Sequence, residues 1–211
     1  MHANKEQLAE IVGIFLGDGS IYANKQHGIV QIVITGHLQH DFEYLVHYVK
    51  PMLEKNLSAK FKIKRHRLNA IQIYNQTKST ASKLNELGIP TGNKVVNNIQ
   101  IPSWIFGSKK YLRACIRGLI DTDGSVCPIT GRNYPYIWFK CRIPKLRKSF
   151  SKALELLNYK IAKWSIRPDG VGQTYIGQKS LIHRYYKEIG SRNTYHMHRL
   201  SSLRSSRPVK H

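Results

Sequence analysis

Two stretches of the chain, residues 8–16 and 112–120, are apolar on nearly every side. A helix with that pattern belongs between other elements and not on a surface. Each carries small residues at every fourth position, Ala9, Gly13 and Gly17 in the first and Ala114, Gly118 and Thr122 in the second. Such ridges let two helix backbones cross closely. After the first helix, expected over 5–17, polar and apolar positions alternate with a period of two over 20–24, 29–35, 59–66 and 70–76, which predicts strands. Residues 25–28 form a turn between the first two. Between the strand pairs, Phe42, Leu45, Val46, Val49 and Leu53 fall at helical spacing, so a helix is expected over 41–57 with a kink at Pro51. Thr77 is placed to cap a further helix that stops at Gly88.

Residues 89–107, punctuated by Pro90, Gly92 and Pro102, read as a connector. The same order of elements then returns about a hundred residues later, as an internal repeat does. A helix over 109–122 leads to strands over 125–128 and 134–142, a helix over 145–157, strands over 160–167 and 173–177, and a helix ending at Gly190. The expected fold class is α+β: two pseudo-symmetric α-β-β-α-β-β-α halves packed through the two apolar helices, each with an antiparallel sheet. The expected boundaries are 1–90 for the first half, 91–107 for the linker, 108–198 for the second half and 199–211 for a basic tail. By composition that tail reads as disordered, and nucleic-acid phosphates would hold it.

Charge narrows the partner. Among 211 residues, 34 Lys and Arg stand against 12 Asp and Glu, a formal net charge of +22. A chain this basic with an ordinary apolar share folds and attracts a polyanion. Nucleic acid is the first candidate; a membrane surface or a ribosomal role is the alternative on charge alone. No segment has the ~18 consecutive apolar residues of a membrane span, and the N-terminus is not a secretory signal. The three cysteines, Cys115, Cys127 and Cys141, lack metal-ligand spacing and read as reduced core residues. The expected location is intracellular, in cytoplasm or organelle.

Chemistry enters at the ends of the two apolar helices. Each small-residue ridge is followed by an acid and a glycine: Asp18-Gly19 and Asp123-Gly124. Two helices crossed on those ridges would set the carboxylates side by side, and adjacent carboxylates repel unless a cation lies between them. Two core helices that merely stop at Asp-Gly are the plain alternative, which the duplication argues against. Asp121, two residues before Asp123, faces elsewhere on the helix and reads as a structural hydrogen-bonding group.

The segments 11–19 and 116–124 resemble the two motifs of the LAGLIDADG homing endonucleases in their single-chain form. Leu16 stands where the pattern has an earlier Asp, and Arg117 replaces a small residue, so its side chain is expected outside the seam. The resemblance implies that Asp18 and Asp123 bind a divalent metal, expected to be Mg²⁺, with help from the backbone carbonyls of Gly17 and Thr122. It implies a monomer, encoded within an intron, that hydrolyses one phosphodiester on each strand of a long double-stranded DNA site. It also implies a basic or amide residue from each half beside the reacting water. Gln39 and His40 are the candidates in the first half; Lys140, with Arg142 and Lys145 competing, is the candidate in the second.

The sheets would form a saddle on DNA. Their expected outward, DNA-contacting residues are Tyr22, Asn24, Lys60, Lys62, Lys64, Gln72 and Tyr74 in the first half, and Tyr136, Trp138, Arg142, Lys163 and Arg167 in the second. Exposed Tyr and Trp interleaved with Lys and Arg serve no solvation purpose, and a two-stranded β ribbon fits the major groove. The rival readings of the same architecture are an intron maturase that binds RNA and a DNA-binding regulator that does not cut.

Overall fold

The computed structural model describes residues 4–24, 26–66, 69–129, 131–132 and 134–201. Helix α1 (Lys5–Leu16) opens the chain, with Asn4 as its N-cap accepting from the backbone N–H groups of Glu6 and Gln7. Strands β1 (Gly19–Asn24) and β2 (Ile29–His37) form a hairpin, and a π-helical stretch, Tyr44–Val49, runs into α2 (Lys50–Leu57). The wide π turn ends two residues before Pro51, the predicted kink, and gives the proline ring room that a regular turn would deny. Strands β3 (Lys62–His66) and β4 (Ala70–Asn75) and helix α3 (Lys78–Glu86) complete this half.

The connector carries a 3₁₀ turn, Ser103–Gly107, and leads into α4 (Lys109–Asp123). Strands β5 (Gly124–Cys127) and β6 (Tyr136–Cys141), helix α5 (Pro144–Leu156), strands β7 (Ser165–Ile166) and β8 (Gly172–Ile176) and helix α6 (Lys179–Glu188) repeat the order. The two sheets have matching topology, β1-β2-β4-β3 and β5-β6-β8-β7, all antiparallel. This is the α+β, two-half architecture expected from the repeat.

The seam between the halves is α1 against α4. A Cβ on Gly13 would overlap the carbonyl oxygen of Cys115, and one on Gly118 would stand 2.5 Å from the Glu10 carbonyl oxygen. The helices therefore touch backbone to backbone, with Ala9, Ile11, Ile14, Phe15, Ala114, Ile116 and Leu119 wholly buried around the crossing. Sequence reasoning sent Arg117 out of this seam. Instead it lies inside, with Nε 3.1 Å and Nη2 2.5 Å from the two oxygens of Glu10, which is 1% exposed. Nη1 donates to the Ile189 carbonyl and the Tyr48 hydroxyl donates to Glu10, so the pair is satisfied from both halves. Breaking a buried pair strands a charge, so Arg117→Met is expected to lower stability by about 3–5 kcal/mol. Glu10→Leu/Arg117→Met should recover much of that loss; a chemical denaturation series on the three chains checks it.

Three further expectations are corrected. The strand over 160–167 shrinks to Ser165–Ile166. The Ala162 N–H pairs with the Tyr175 carbonyl, one residue out of step with the Ser165↔Gln173 register, so a bulge falls at Lys163 and Trp164. The cause is Trp164, which turns inward to pack edge-on against Phe139 and Phe150 and donates its indole N–H to Ser151. Lys60 precedes β3, where its carbonyl accepts from Asn75, and Arg142 lies just past the end of β6. Helix α7 (Thr194–Ser201) occupies the end of the predicted second half and the start of the predicted tail. The remainder of the tail, 202–211, lies outside the described residues.

Candidate functional site

The crossing brings the ends of α1 and α4 together, and with them Asp18 and Asp123. A Cβ on Gly17 would run into the Thr122 side chain, so the residues before the two acids are in direct contact. Thr122 turns its hydroxyl back along the helix, to the Gly118 carbonyl at 2.8 Å. Both carboxylates keep a face open to solvent, although protein surrounds them on the other sides. Loss of hydration pushes the Asp18 carboxyl up to about 7, and the neighbouring Asp123 charge adds to the rise. The same loss of hydration raises Asp123, against the pull of a nearby ammonium.

That ammonium belongs to Lys94, which sequence reasoning missed. It comes from the connector, where the Gly92 N–H bonds to the Ile21 carbonyl and the Asn93 side chain caps the N–H groups of Val95 and Val96. This turn aims Lys94 at the C-terminal end of α1. Its Nζ donates to the carbonyls of Phe15 at 3.4 Å and Leu16 at 3.2 Å, and closely to that of Gly17. Its own burial lowers its pKa, and Asp123 and Asp18 work to raise it. The only local signal was a Lys after a Gly-Asn turn. Its reach to the carboxylates depends on how the connector folds back, which periodicity does not encode.

Asp41 lies close enough to Asp18 to add to its rise. One oxygen of Asp41 accepts the His37 N–H at 2.7 Å, and the other accepts from Asn193 at 2.8 Å. Asn193 also donates to the Asp121 carbonyl, so it joins the first half's 37–41 loop to the end of α4. Asp121 itself is buried and accepts from the Ser191 hydroxyl and the Arg192 N–H, the structural role its position predicts. Gln39 and His40 are exposed on this loop, with the His40 ring between His37 and Tyr195 at 4.5 and 4.4 Å. The His40 ring is thus engaged in packing against α7.

Lys140 is exposed on the outer face of β6, across from Gln173. Tyr22, Gln72, Tyr74, Lys62 and Lys64 share the outer face of the first sheet, and Lys64 lies over the Tyr74 ring at 5.1 Å. Asn24 instead closes the hairpin, accepting from the backbone N–H groups of Gln26 and His27. Tyr136 and Trp138 share the second sheet's outer face. Lys163 is exposed at the bulge, and Arg167 pairs with Asp169 at 3.3 Å. A recess of about 760 Å³ runs along the connector past Pro90, Asn98 and Trp104. Among the described residues no group of three or more His, Cys, Asp or Glu gathers to hold a metal, and no helix is long and apolar enough to cross a membrane.

A family model described as a LAGLIDADG-like domain matches residues 110–190. The structure of the homing endonuclease I-DmoI in complex with DNA and Mn superposes with a TM-score of 0.63 at 17% identity, over 89% of this chain and 98% of that one. The LAGLIDADG meganuclease I-AabMI bound to uncleaved DNA gives 0.62 at 11% identity, over 94% and 89%. At those identities the likeness is one of fold. A stretch of 151 residues, 70% of this chain, is 29% identical to the replication factor C small subunit of Methanocaldococcus jannaschii. That stretch is 8% of the relative's length, too small a share for its name to describe this chain.

Proposed function

We propose that this chain is a LAGLIDADG protein with both motifs on one polypeptide, and that it is a site-specific endonuclease that cuts both strands of duplex DNA. The observation that supports this most is the meeting of Asp18 and Asp123 at one end of the α1–α4 seam, between two sheets whose outer faces carry basic and aromatic side chains. Two carboxylates whose proton affinities are raised by loss of hydration, and which stay open to solvent, suit a hard divalent cation such as Mg²⁺. Such a cation uses one or two carboxylates and keeps waters and phosphate oxygens as its other ligands. When bound it would supply Lewis acidity at the scissile phosphate and ease deprotonation of the attacking water.

The chain's own residues do the rest. Asp18 and Asp123 would hold the cation; of the helix-end carbonyls beside them, that of Gly17 accepts from Lys94. Lys94 places a second positive charge there, against charge that develops on the phosphate. Gln39 in the first half and Lys140 in the second are set to order water or phosphate; His40 joins them where its packing against Tyr195 leaves a nitrogen free. Each polypeptide contains both acids, so the working unit is a monomer.

The experiment is incubation with DNA carrying the uninterrupted form of the gene that flanks this reading frame, with Mg²⁺ and with EDTA. Double-strand cuts with Mg²⁺ alone are expected. A protein that binds this DNA but never cuts it would be a regulator, and one that prefers the intron transcript would be a maturase. Lys94 gives a second check. Lys94→Met keeps the length of the side chain and removes its charge. It is expected to lower the cleavage rate about 10- to 100-fold, while gel-shift binding in Ca²⁺ changes less than threefold. An equal loss of binding and rate would make Lys94 a plain phosphate contact.

A further inference from the structure

The two sheets are matched in topology but not in the chemistry of their outer faces. On the first sheet, Thr35, Gln72 and Lys64 are neighbours across three strands. Gln72 Nε2 donates to Thr35 Oγ1 at 3.0 Å, which fixes the plane of the amide. One N–H and the carbonyl oxygen of that amide are left to use. A glutamine held this way matches adenine in the major groove, whose N7 accepts and whose N6 amino group donates. Gln31, across from Tyr22, and Lys62, across from Tyr74, give the same face further directed donors and acceptors.

The corresponding face of the second sheet is a ladder of rings. Tyr136 and Tyr175 stack at 4.8 Å with planes 8° apart, and Trp138 tilts onto Tyr175 at 4.6 Å. Arg132 lies over the Tyr136 ring at 5.4 Å. Gly177 makes room for the pair, since a Cβ there would stand 2.7 Å from a Tyr175 ring carbon and 3.2 Å from Tyr136. The β5 neighbours of these rings are Ser125 and Cys127. One polar row crosses this face, Lys140 opposite Gln173 and Gln173 opposite Ser165; it stands where Thr35, Gln72 and Lys64 stand on the first sheet, with a lysine in place of the Thr35 that fixes Gln72. Rings locked against one another present edges and hydroxyls to a groove. Edges of this kind pack on sugars and thymine methyls, and they carry little of the donor and acceptor code that separates the base pairs.

We infer that the two halves read their half-sites by different chemistry: the first sheet selects bases through directed hydrogen bonds, with Gln72 fixed by Thr35 to choose adenine, and the second grips its half-site mainly through the aromatic ladder with low base discrimination. This rests on the proposed DNA-binding function and names how its specificity is divided. It makes Gln72 a specificity residue, Thr35 a positioning residue acting through it, and Tyr136 and Tyr175 contributors to affinity.

The test is a binding selection in Ca²⁺ on duplexes with each half-site randomised in turn, using the full chain and no cleavage step. One half-site should return strongly fixed bases and the other weakly fixed ones. Gln72→Ala should relax one adenine in the strict half by about tenfold or more and leave the other half-site unchanged. Thr35→Val, which keeps the shape of the side chain, should weaken the same adenine preference by a smaller factor without adding another base. Tyr175→Leu should weaken binding to all selected sequences alike. A thermal melt confirms that each variant folds. Equal information in both half-sites, or an unaltered adenine in both Gln72→Ala and Thr35→Val, overturns the inference. Recovery of no preferred duplex by the parent chain overturns DNA reading itself, and the inference with it. Specific binding without cutting leaves the inference standing and sinks only the nuclease activity.

Discussion

Asp18→Asn and Asp123→Asn are each expected to abolish double-strand cleavage of the cognate DNA while leaving sequence-specific binding largely intact. Asn keeps the size and much of the hydrogen bonding of Asp and loses only the charge, and the outward sheet faces lie on other elements. Removing one of the two carboxylates proposed to bind the metal should lower the rate by at least about a thousandfold, a barrier rise of roughly 4 kcal/mol. The variants need not be equal, because Lys94 stands on the α1 carbonyls and electrostatically favours the charged form of both acids. Slow nicking of one strand is the expected residue. Asp121→Asn, two residues away, should retain most cleavage apart from any loss of stability, because Asp121 is turned to Ser191 and Arg192.

The same carboxylates set a pH dependence. With Asp18 raised to about 7, protons compete with the cation below neutrality, so cleavage should climb as pH rises through about 7 and then level. In the metal-free protein the sign on stability is opposite. A carboxyl that holds its proton more tightly when folded loses stability as pH rises from its unfolded value toward 7. Added Ca²⁺ should therefore raise the melting temperature more at pH 8 than at pH 5.5. Supercoiled-plasmid cleavage in Mg²⁺ over a pH series reads the first effect, and thermal melts with and without Ca²⁺ at the two pH values read the second. Asn variants that cut at the parent rate would remove the paired-carboxylate site.

Gly118→Val and Gly13→Ala should disrupt the protein at its centre. Helix propensity alone would make alanine at position 13 stabilising by about 1 kcal/mol. The seam reverses that sign, because the added Cβ meets the Cys115 carbonyl and no rotamer can relieve a contact with backbone. At Gly118 the neighbours are the Glu10 carbonyl oxygen at 2.5 Å and the Ile14 nitrogen at 2.9 Å, again backbone. Overpacking of this kind costs about 1–3 kcal/mol and sometimes more, which for a chain this long is on the order of 2–4 °C of melting temperature per kcal/mol. Valine at 118 should lie at or beyond the upper end, and it should also spread the two acids. Gly107→Ala is the control, since a Cβ there meets nothing within 4 Å. Matching melting temperatures for Gly118→Val and the parent would mean that the helices do not cross as described.

The sequence alone was enough for the architecture, because its strongest signals are local and repeated. Apolar helices with small residues four apart, alternating strands and glycine stops each follow from the geometry of a single element. Their duplication implied two halves and a shared seam, and with it the placing of Asp18 beside Asp123. Signals of that kind failed where a side chain answers to a partner distant in sequence. Arg117 looked surface-bound until Glu10, from the other motif helix, met it inside the seam. The strand at 160–167 had a sound alternation, yet Trp164 found a better place against Phe139 and Phe150 and bulged it.

Lys94 and Asn193 show the same limit at the site. Neither belongs to a periodic pattern, and each acts by spanning from a connecting segment to the end of a motif helix. Periodicity records which face of an element is buried, and so it sets elements, halves and seam. The partner of a buried charge and the direction of a connector are chosen only when desolvated groups far apart in the chain must satisfy one another, and that choice is made by the tertiary structure.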